Sequence, residues 1–315
     1  LFHAENDTAQ IGGYAAQYGN SVQNILAVFQ HGGIKPQPVF FLINKKIPYV
    51  IVFNKSDLLP EIPEKITVVN SCDTRKLLAK MSSNFFKNPE KQLKIIGVTG
   101  TNGKTTVTTL TKSILEFLGK SVGLIGTNAN YINDKIIPTE RTTPESYELY
   151  ELLAQMVAEG VEYVIMEVSS HSLYLDRVYG INFLVGAFTN LTQDHLDFHG
   201  TMENYKKAKG TLFDISENAV INIDDEYGNR FLEATSQGVK KYTYGIKNDA
   251  IVKAKDVSYD GQGASFTCVI DKKEYKVETY RKHKSFDMVV FKDNYDINEV
   301  LYYVNDKIVT TFKIN

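Results

Sequence analysis

The residues best placed to do chemistry form one run, Thr99-Gly100-Thr101-Asn102-Gly103-Lys104-Thr105-Thr106, set between the apolar segment IIGV and a helix-like stretch. Glycines let a backbone wrap closely around a phosphate, and a helix start offers unpaired N–H groups and the positive end of its dipole. In such a loop Lys104 reaches the β- and γ-phosphates of a nucleotide, and the Thr105 hydroxyl reaches Mg2+. Gly100, Thr101, Asn102, Gly103 and Thr106 complete the candidate cradle. The strict pattern asks for glycine five places before Gly103, where Val98 stands; Gly97 and Gly100 flank that position.

Two further polar clusters follow apolar runs. Glu167, Ser169, Ser170 and His171 come after VEYVIM, and Thr189-Asn190 then Asp194, His195, Asp197 and His199 come after INFLVGAF. If both runs are parallel strands, their carboxyl ends open onto the same crevice as the phosphate loop. Glu167 and His195 are candidate Mg2+ ligands there, although imidazole is not the donor magnesium prefers. DHLDFH also has histidine spacing suited to zinc. It lacks the glutamate base of a zinc protease, and a neighbouring phosphate site accounts for its acids better.

The elements that must position these groups alternate. Apolar strand patterns recur at 95–98, 121–127, 161–168, 181–190, 219–224 and 240–245, with helical periodicity at 105–118 and 149–159 between them. That alternation predicts an α/β fold, a mostly parallel sheet of phosphate-loop type with helices on both faces. Upstream, 47–53 and 66–71 read as strands, 22–29 as one short helix and 73–87 as a helix. Downstream, IVKAKDV, SFTCVI and EYKVETY are alternating strands set off by turns at Asp260-Gly261 and Asp271-Lys272, which predicts a small antiparallel appendage. The expected domains are a divergent N-terminal α/β piece at 1–90, a nucleotide-binding domain at 91–245 and a β-rich appendage at 246–315.

Composition excludes several classes. The 315 residues suit about two domains, and 43% hydrophobic with 23% charged residues is a globular balance. Lys plus Arg number 35 against 37 Asp plus Glu, so no global field attracts nucleic acid or an anionic membrane. Two cysteines, Cys72 and Cys268, make neither a disulfide framework nor a four-thiolate zinc site. No apolar run has the length of a membrane span and the start lacks a signal-peptide pattern, so the cytoplasm is the expected compartment.

TGTNGKTT at 99–106, RTTPES at 141–146, MEVSSHSL at 166–173 and FTNLTQDHLDFHGTMENYKKAK at 188–209, followed by LF, resemble the central domain of the Mur ligases. The match is closest to the branch that makes UDP-N-acetylmuramoyl-tripeptide, and it extends over about residues 67–270. The resemblance implies an ATP-dependent acid–amino acid ligase of peptidoglycan precursor synthesis. In it a substrate carboxylate attacks the γ-phosphate of ATP, and an amine then displaces phosphate from the acyl phosphate. Its substrates would be UDP-MurNAc-L-Ala-D-Glu and a diamino acid, either lysine or diaminopimelate. It further implies that Thr105 holds one Mg2+, that Glu167 and His195 hold a second, and that Lys209 supports it as a carbamate. Lys104, Lys209 and His195 would then be the catalytic set, with Thr142, Thr143, Ser169 and Arg177 on the substrate. Taken from the sequence without the resemblance, Lys209 is a solvated helix lysine. At Leu175 some members carry a polar substrate contact, and Asn222, Asp224 and Asp225 fall near the nucleotide.

Two departures set the remaining expectations. Residues 1–60 lack the segments with which this branch holds uridine nucleotide, and 281–315 are too few for the C-terminal domain and carry no acidic Pro-Arg motif. The chain starts at Leu1 and ends in KIVTTFKIN, which reads as an edge strand or a cut edge. Together these predict weak or absent ligase turnover, with an ATP-binding fragment or pseudo-ligase as the alternative. A second alternative is a circularly permuted GTPase, because Asn54-Lys55-Ser56-Asp57 resembles a guanine-recognition motif lying before the phosphate loop. No Asp-x-x-Gly motif in an apolar-strand context follows the loop to support it.

Overall fold

The computed structural model describes residues 73–259 and 263–282, with side chains over 73–259 and 263–278, and elsewhere the backbone of short strands. The chain divides into two compact units, 1–82 and 83–315. In the first, strands β1 (Phe2–His3), β2 (Ile25–Phe29), β3 (Tyr49–Phe53) and β4 (Val68–Asn70) pair in that order, all parallel. Helix α1 (Thr74–Phe85) follows, its first turn capped by the Asp73 carboxylate on the Lys76 N–H at 3.1 Å.

The expected helix at 22–29 is therefore corrected. Ile25–Phe29 is a strand paired residue for residue with Tyr49–Phe53. A short continuous apolar run satisfies helical and strand periods equally, and parallel pairing decides between them. The Asn54–Asp57 motif and the turn at Asp260-Gly261 lie outside the described residues.

In the second unit a short 3-10 turn (Pro89–Gln92) leads into β5 (Lys94–Thr99), helix α2 (Lys104–Phe117) and β6 (Val122–Ile125). β7 (Asn130–Ile132), β8 (Lys135–Ile137), α3 (Ser146–Ala158) and β9 (Tyr163–Glu167) come next. Then follow α4 (Ser170–Tyr174), β10 (Phe183–Phe188), α5 (Leu196–His199), α6 (Met202–Asp214), β11 (Ser216–Asn222), α7 (Gly228–Ala234) and β12 (Lys240–Gly245). The core of the sheet runs β12-β11-β10-β5-β9-β6, every pair parallel. This is the expected α/β architecture. β5 sits between β9 and β10, so the loop after β5 opens beside the ends of both. That is the topological crevice in which such sheets bind ligands.

Burial follows the sequence pattern. Ile95, Val98, Val164, Ile165, Met166, Phe183 and Phe188 are buried in the central strands. Helix α3 buries Leu149, Tyr150, Leu152, Leu153 and Met156, the face its spacing predicts. Each such side chain is worth roughly 2 kcal/mol over exposure.

The antiparallel strands expected downstream are present as β13 (Val252–Tyr259), β14 (Gly263–Ile270) and β15 (Lys273–Lys282). They continue the main sheet, because β13 pairs parallel with β12 before the antiparallel run begins. Asp271 and Lys272 turn the chain between β14 and β15 with positive φ of 49° and 66°. That is the backbone of a tight hairpin of matching twist. β16 (Ser285–Lys292) adds to β15, and β17 (Asn298–Val304) with β18 (Lys307–Lys313) forms a separate hairpin. Among the described residues, no helix is long and apolar enough to cross a membrane.

Candidate active site

The phosphate loop is built on contacts to the end of β10. Gly100 has φ of 151°, and a Cβ there would lie 1.9 Å from the Thr189 Oγ1. Only glycine therefore lets the loop pass over β10. The Thr189 hydroxyl donates to the Asn102 carbonyl at 2.7 Å, while the Asn190 side chain accepts from the Asn102 N–H and donates to its carbonyl. The Thr101 N–H donates to the Asn190 carbonyl, and the Thr101 hydroxyl meets Tyr205 Oη at 3.2 Å. Gly103, in the left-handed region at φ 85°, turns the chain into α2. Val98, at the place where the strict pattern wants glycine, is buried within β5, so the loop makes its close approach two residues later.

Two lysines converge on this loop. Lys104 Nζ donates to the Gly100 and Thr101 carbonyls at 2.8 and 3.0 Å, and Lys209 Nζ donates to the same Gly100 carbonyl at 2.9 Å. Lys209 is 1% exposed, and its ammonium stands 4.6 Å from the centre of the Tyr205 ring. Burial, followed by the charge of Lys104, brings its pKa down to about 7, against a smaller opposing pull from Asp194. Burial also lowers the pKa of Lys104, partly offset by Glu167 and Asp194. The residue-only expectation of a solvated Lys209 is thus corrected. Tyr205, Ala208, Lys209 and Leu212 share the buried face of α6. Their i, i+3, i+4, i+7 spacing was the available signal.

Glu167, 1% exposed at the end of β9, faces the loop. Its Oε1 accepts from the Thr105 hydroxyl and from the Thr127 N–H, each at 3.0 Å. Its Oε2 accepts from the Thr127 hydroxyl at 3.0 Å. The residues expected on the substrate side lie next to this group. The Thr142 hydroxyl meets that of Thr127 at 3.0 Å, and Thr143 donates to the Glu167 carbonyl at 2.8 Å and accepts from the Ser169 N–H at 3.1 Å. Ser169 caps α4, its Oγ accepting from the Ser172 N–H. Arg177 donates to the Thr143 carbonyl at 3.2 Å and pairs with Glu145 at 2.7 Å, the two side chains 13% and 10% exposed. Deleting one partner leaves a desolvated charge. Glu145→Ala is therefore expected to cost ~3 kcal/mol in urea unfolding and to loosen the Thr142–Thr143 segment.

The structure thus brings together Thr105, Glu167, Thr142, Thr143, Ser169 and Arg177, and separately Lys104 with Lys209. His195, at φ 52°, pairs with Asp194 at 3.4 Å and packs its ring against His171 at 4.9 Å; among the described residues no hydrogen bond links it to Glu167. Thr106 is exposed on α2, and Leu175 is the C-cap of α4. Asn222 donates to the Thr189 carbonyl and Asp225 accepts from the Leu191 N–H, so both brace the end of β10. Asp224 closes a turn by accepting from the N–H groups of Ile246, Lys247 and Asn248. Sequence reasoning missed Thr127 and Tyr205. Thr127 ends the strand pattern at 121–127, and the strand-end rule applied to Glu167 would have found it.

Thr105 and Glu167 offer hard oxygen donors in contact, the chemistry Mg2+ selects. Among the described residues no group of three or more His, Cys, Asp or Glu side chains is placed to hold a metal ion. A cation here would take the Thr105 hydroxyl, the Glu167 carboxylate and oxygens of a nucleotide.

Residues 98–281 match the family model described as the Mur ligase middle domain. The chain belongs to the Mur ligase family. The loop, Glu167, Lys209 and the 142–177 group all lie within the matched span. The chain is 54% identical over 218 residues to the UDP-N-acetylmuramoyl-L-alanyl-D-glutamate--2,6-diaminopimelate ligase of Clostridium tetani, covering 69% of this chain and 44% of that protein. It is 44% identical to the enzyme of the same name from Bacteroides thetaiotaomicron, over 65% of this chain and 44% of that one. The chain thus spans less than half the length of these relatives. A solved structure of a ligase with that name superposes with a TM-score of 0.68 at 26% identity, covering 82% of this chain and 53% of the other. A Mycobacterium tuberculosis folylpolyglutamate synthase shares the fold, with a TM-score of 0.52 at 16% identity, over 61% and 51% of the two chains. The Mur ligase middle domain in this chain therefore has the family's sheet and loop, and the GTPase alternative gains nothing from these relatives.

Proposed function

We propose that this chain is the nucleotide-binding part of an ATP-dependent ligase that adds diaminopimelate to UDP-MurNAc-L-Ala-D-Glu in the cytoplasm, for cell-wall synthesis. The observation that carries the reading is the meeting of Lys104 and Lys209 at the Gly100 carbonyl, one loop away from the Thr105–Glu167 pair. A reaction between a carboxylate and a triphosphate brings two anions together; Lys104 and cations held at Thr105 and Glu167 would supply the opposing charge, and the buried Lys209, as a carbamate, would support the metal. The names of the relatives support diaminopimelate as the amine. In the domain reading, 91–245 carries the nucleotide, with 1–90 and 246–315 flanking it.

Lys104 would leave its two loop carbonyls for the β- and γ-phosphates, and the N–H groups of the loop and of the first turn of α2 would line the anion. Thr105 would hold one Mg2+, and Glu167 with His195 a second, supported by Lys209 as its carbamate. The metal would offset charge on the transferring phosphoryl group. Thr142, Thr143, Ser169 and Arg177 would orient the acid substrate so that its carboxylate oxygen faces the γ-phosphorus. The amine would then attack the acyl carbon, and phosphate would depart.

The test is phosphate release from MgATP by the 315-residue chain. It is measured with and without UDP-MurNAc-L-Ala-D-Glu and each diamino acid, and repeated in Lys104→Ala. Release that needs both substrates, prefers diaminopimelate and disappears in the variant is the expected pattern for a working ligase. Nucleotide binding without stimulated release makes this chain an ATP-binding fragment.

A further inference from the structure

We propose that Thr127 is a positioning residue that couples the carboxylate of Glu167 to the hydroxyl of Thr142 through a hydrogen-bond chain of fixed direction. This rests on the reading of Glu167 as a magnesium-facing group and Thr142 as a substrate-facing one, and adds a link between them.

The geometry sets the direction. Thr127 grips both oxygens of one carboxylate, its N–H on Oε1 and its hydroxyl on Oε2. An ionised carboxylate only accepts, so the single Thr127 hydroxyl proton is spent on Glu167. The 3.0 Å contact between the Thr127 and Thr142 hydroxyls must then be donated by Thr142. The chain reads Thr142 to Thr127 to Glu167, and Thr142 is left able only to accept from anything that approaches it. Backbone shape supports the grip. A Cβ on Gly126 would lie 2.6 Å from Glu167 Oε1, so the carboxylate sits where only glycine leaves space. The Gly126 N–H is turned away to the Asn130 side chain at 3.3 Å.

The consequence is directional. A cation beside Thr105 meets Oε1, the oxygen that the Thr105 hydroxyl reaches, and leaves the Thr127 hydroxyl on Oε2. Thr142 therefore keeps its proton on Thr127 and presents only acceptor lone pairs to a ligand. Thr127 holds the carboxylate in place before any cation arrives. Groups that orient a metal ligand in this way typically contribute about 10-fold or more in metal affinity.

The experiment is a titration of Mg2+-dependent AMP-PNP binding to the full chain, reading the Mg2+ concentration at half-saturation, with thermal melts to show that each variant folds. Thr127→Val is expected to raise that concentration about 10-fold. Thr127→Ser, which keeps both the N–H and a hydroxyl, should stay near wild type. Thr142→Val is expected to shift it in the same direction by less, and to add nothing in the Thr127→Val background, because the two hydroxyls act in series. A Thr127→Val half-saturation equal to wild type, alongside a raised value in Glu167→Gln, overturns the coupling and leaves the nucleotide reading intact. Additive Thr127 and Thr142 effects overturn the series arrangement. A wild-type chain that binds no AMP-PNP at any Mg2+ concentration overturns the underlying reading, and the coupling falls with it.

Discussion

Lys209→Met will raise the stability of this chain near neutral pH while lowering whatever substrate-stimulated phosphate release the chain supports by at least about 100-fold, the usual scale for losing one preorganised electrostatic group. The stability half follows from burial. Lys209 is 1% exposed and shares its carbonyl acceptor with the Lys104 ammonium, so the protonated form is held in a site that opposes it. A fall in pKa from 10.5 to about 7 corresponds to ~5 kcal/mol at ~1.4 kcal/mol per unit. Methionine fills a similar volume without charge. The lost hydrogen bond and the lost contact with the Tyr205 ring offset part of that, leaving a net gain of ~2 kcal/mol.

The pH dependence separates this from ordinary repacking. The folded value lies below the unfolded one, so between about pH 7 and 10.5 the unfolded chain binds the extra proton. Wild-type stability therefore rises with pH across that window, while below pH 7 both states are protonated and the whole cost is present. The Lys209→Met advantage should be greatest at and below pH 7 and shrink toward pH 10.5. Denaturant unfolding of both proteins at pH 6, 7.5 and 9 measures it. A constant difference across that range, or a less stable variant at pH 6, would contradict a buried ammonium at this position. A side chain that weakens the fold where it stands is the kind a site retains for chemistry.

Much of this site is legible in the sequence. The loop at 99–106 lies between β5 and α2, and the polar ends of the 161–168 and 181–190 runs open beside it, because β9 and β10 flank β5. What stayed hidden was of two kinds. Residues such as Ile25–Phe29 carry a short apolar run with no period, and only the partner strand Tyr49–Phe53 makes it a strand. Thr127 and Tyr205 carry no unusual residue type, and their roles come from what lies across the crevice. Thr127 meets Glu167 from 40 residues away, and Tyr205 meets Thr101 from 104 residues away. Lys209 falls between these cases. Its place on the apolar face of α6 was readable from spacing, but its charge argued for solvent. Asn222 and Asp225 stand at a strand end, as their place in the sequence suggested, and their side chains brace the end of β10.

Gly100→Ala is expected to reduce Mg-nucleotide affinity by at least about 30-fold, which is ~2 kcal/mol, with a much smaller effect on overall stability. Two independent constraints act at this residue. Its φ of 151° is one that L side chains rarely adopt, and its missing Cβ is the only space between the loop and Thr189 Oγ1. At 1.9 Å the new methyl group cannot be accommodated by a small adjustment, and the Asn190 backbone, 3.1 Å away on the same side, blocks the retreat. The loop must lift. Lifting it breaks the Thr189 and Asn190 bonds to Asn102 and removes the Gly100 carbonyl from Lys104 and Lys209 together. The strands beneath are unaffected, because Val98 and Thr99 remain buried in β5 and their pairing with β9 and β10 does not pass through Gly100. Nucleotide titration by calorimetry alongside a thermal melt distinguishes the two effects. If affinity is lost while the melt moves only a few degrees, the loop is a phosphate cradle set on a rigid sheet. Near-wild-type affinity in Gly100→Ala would mean that nucleotide does not rely on this loop, and Lys104 and Lys209 would then need another reason to share one carbonyl.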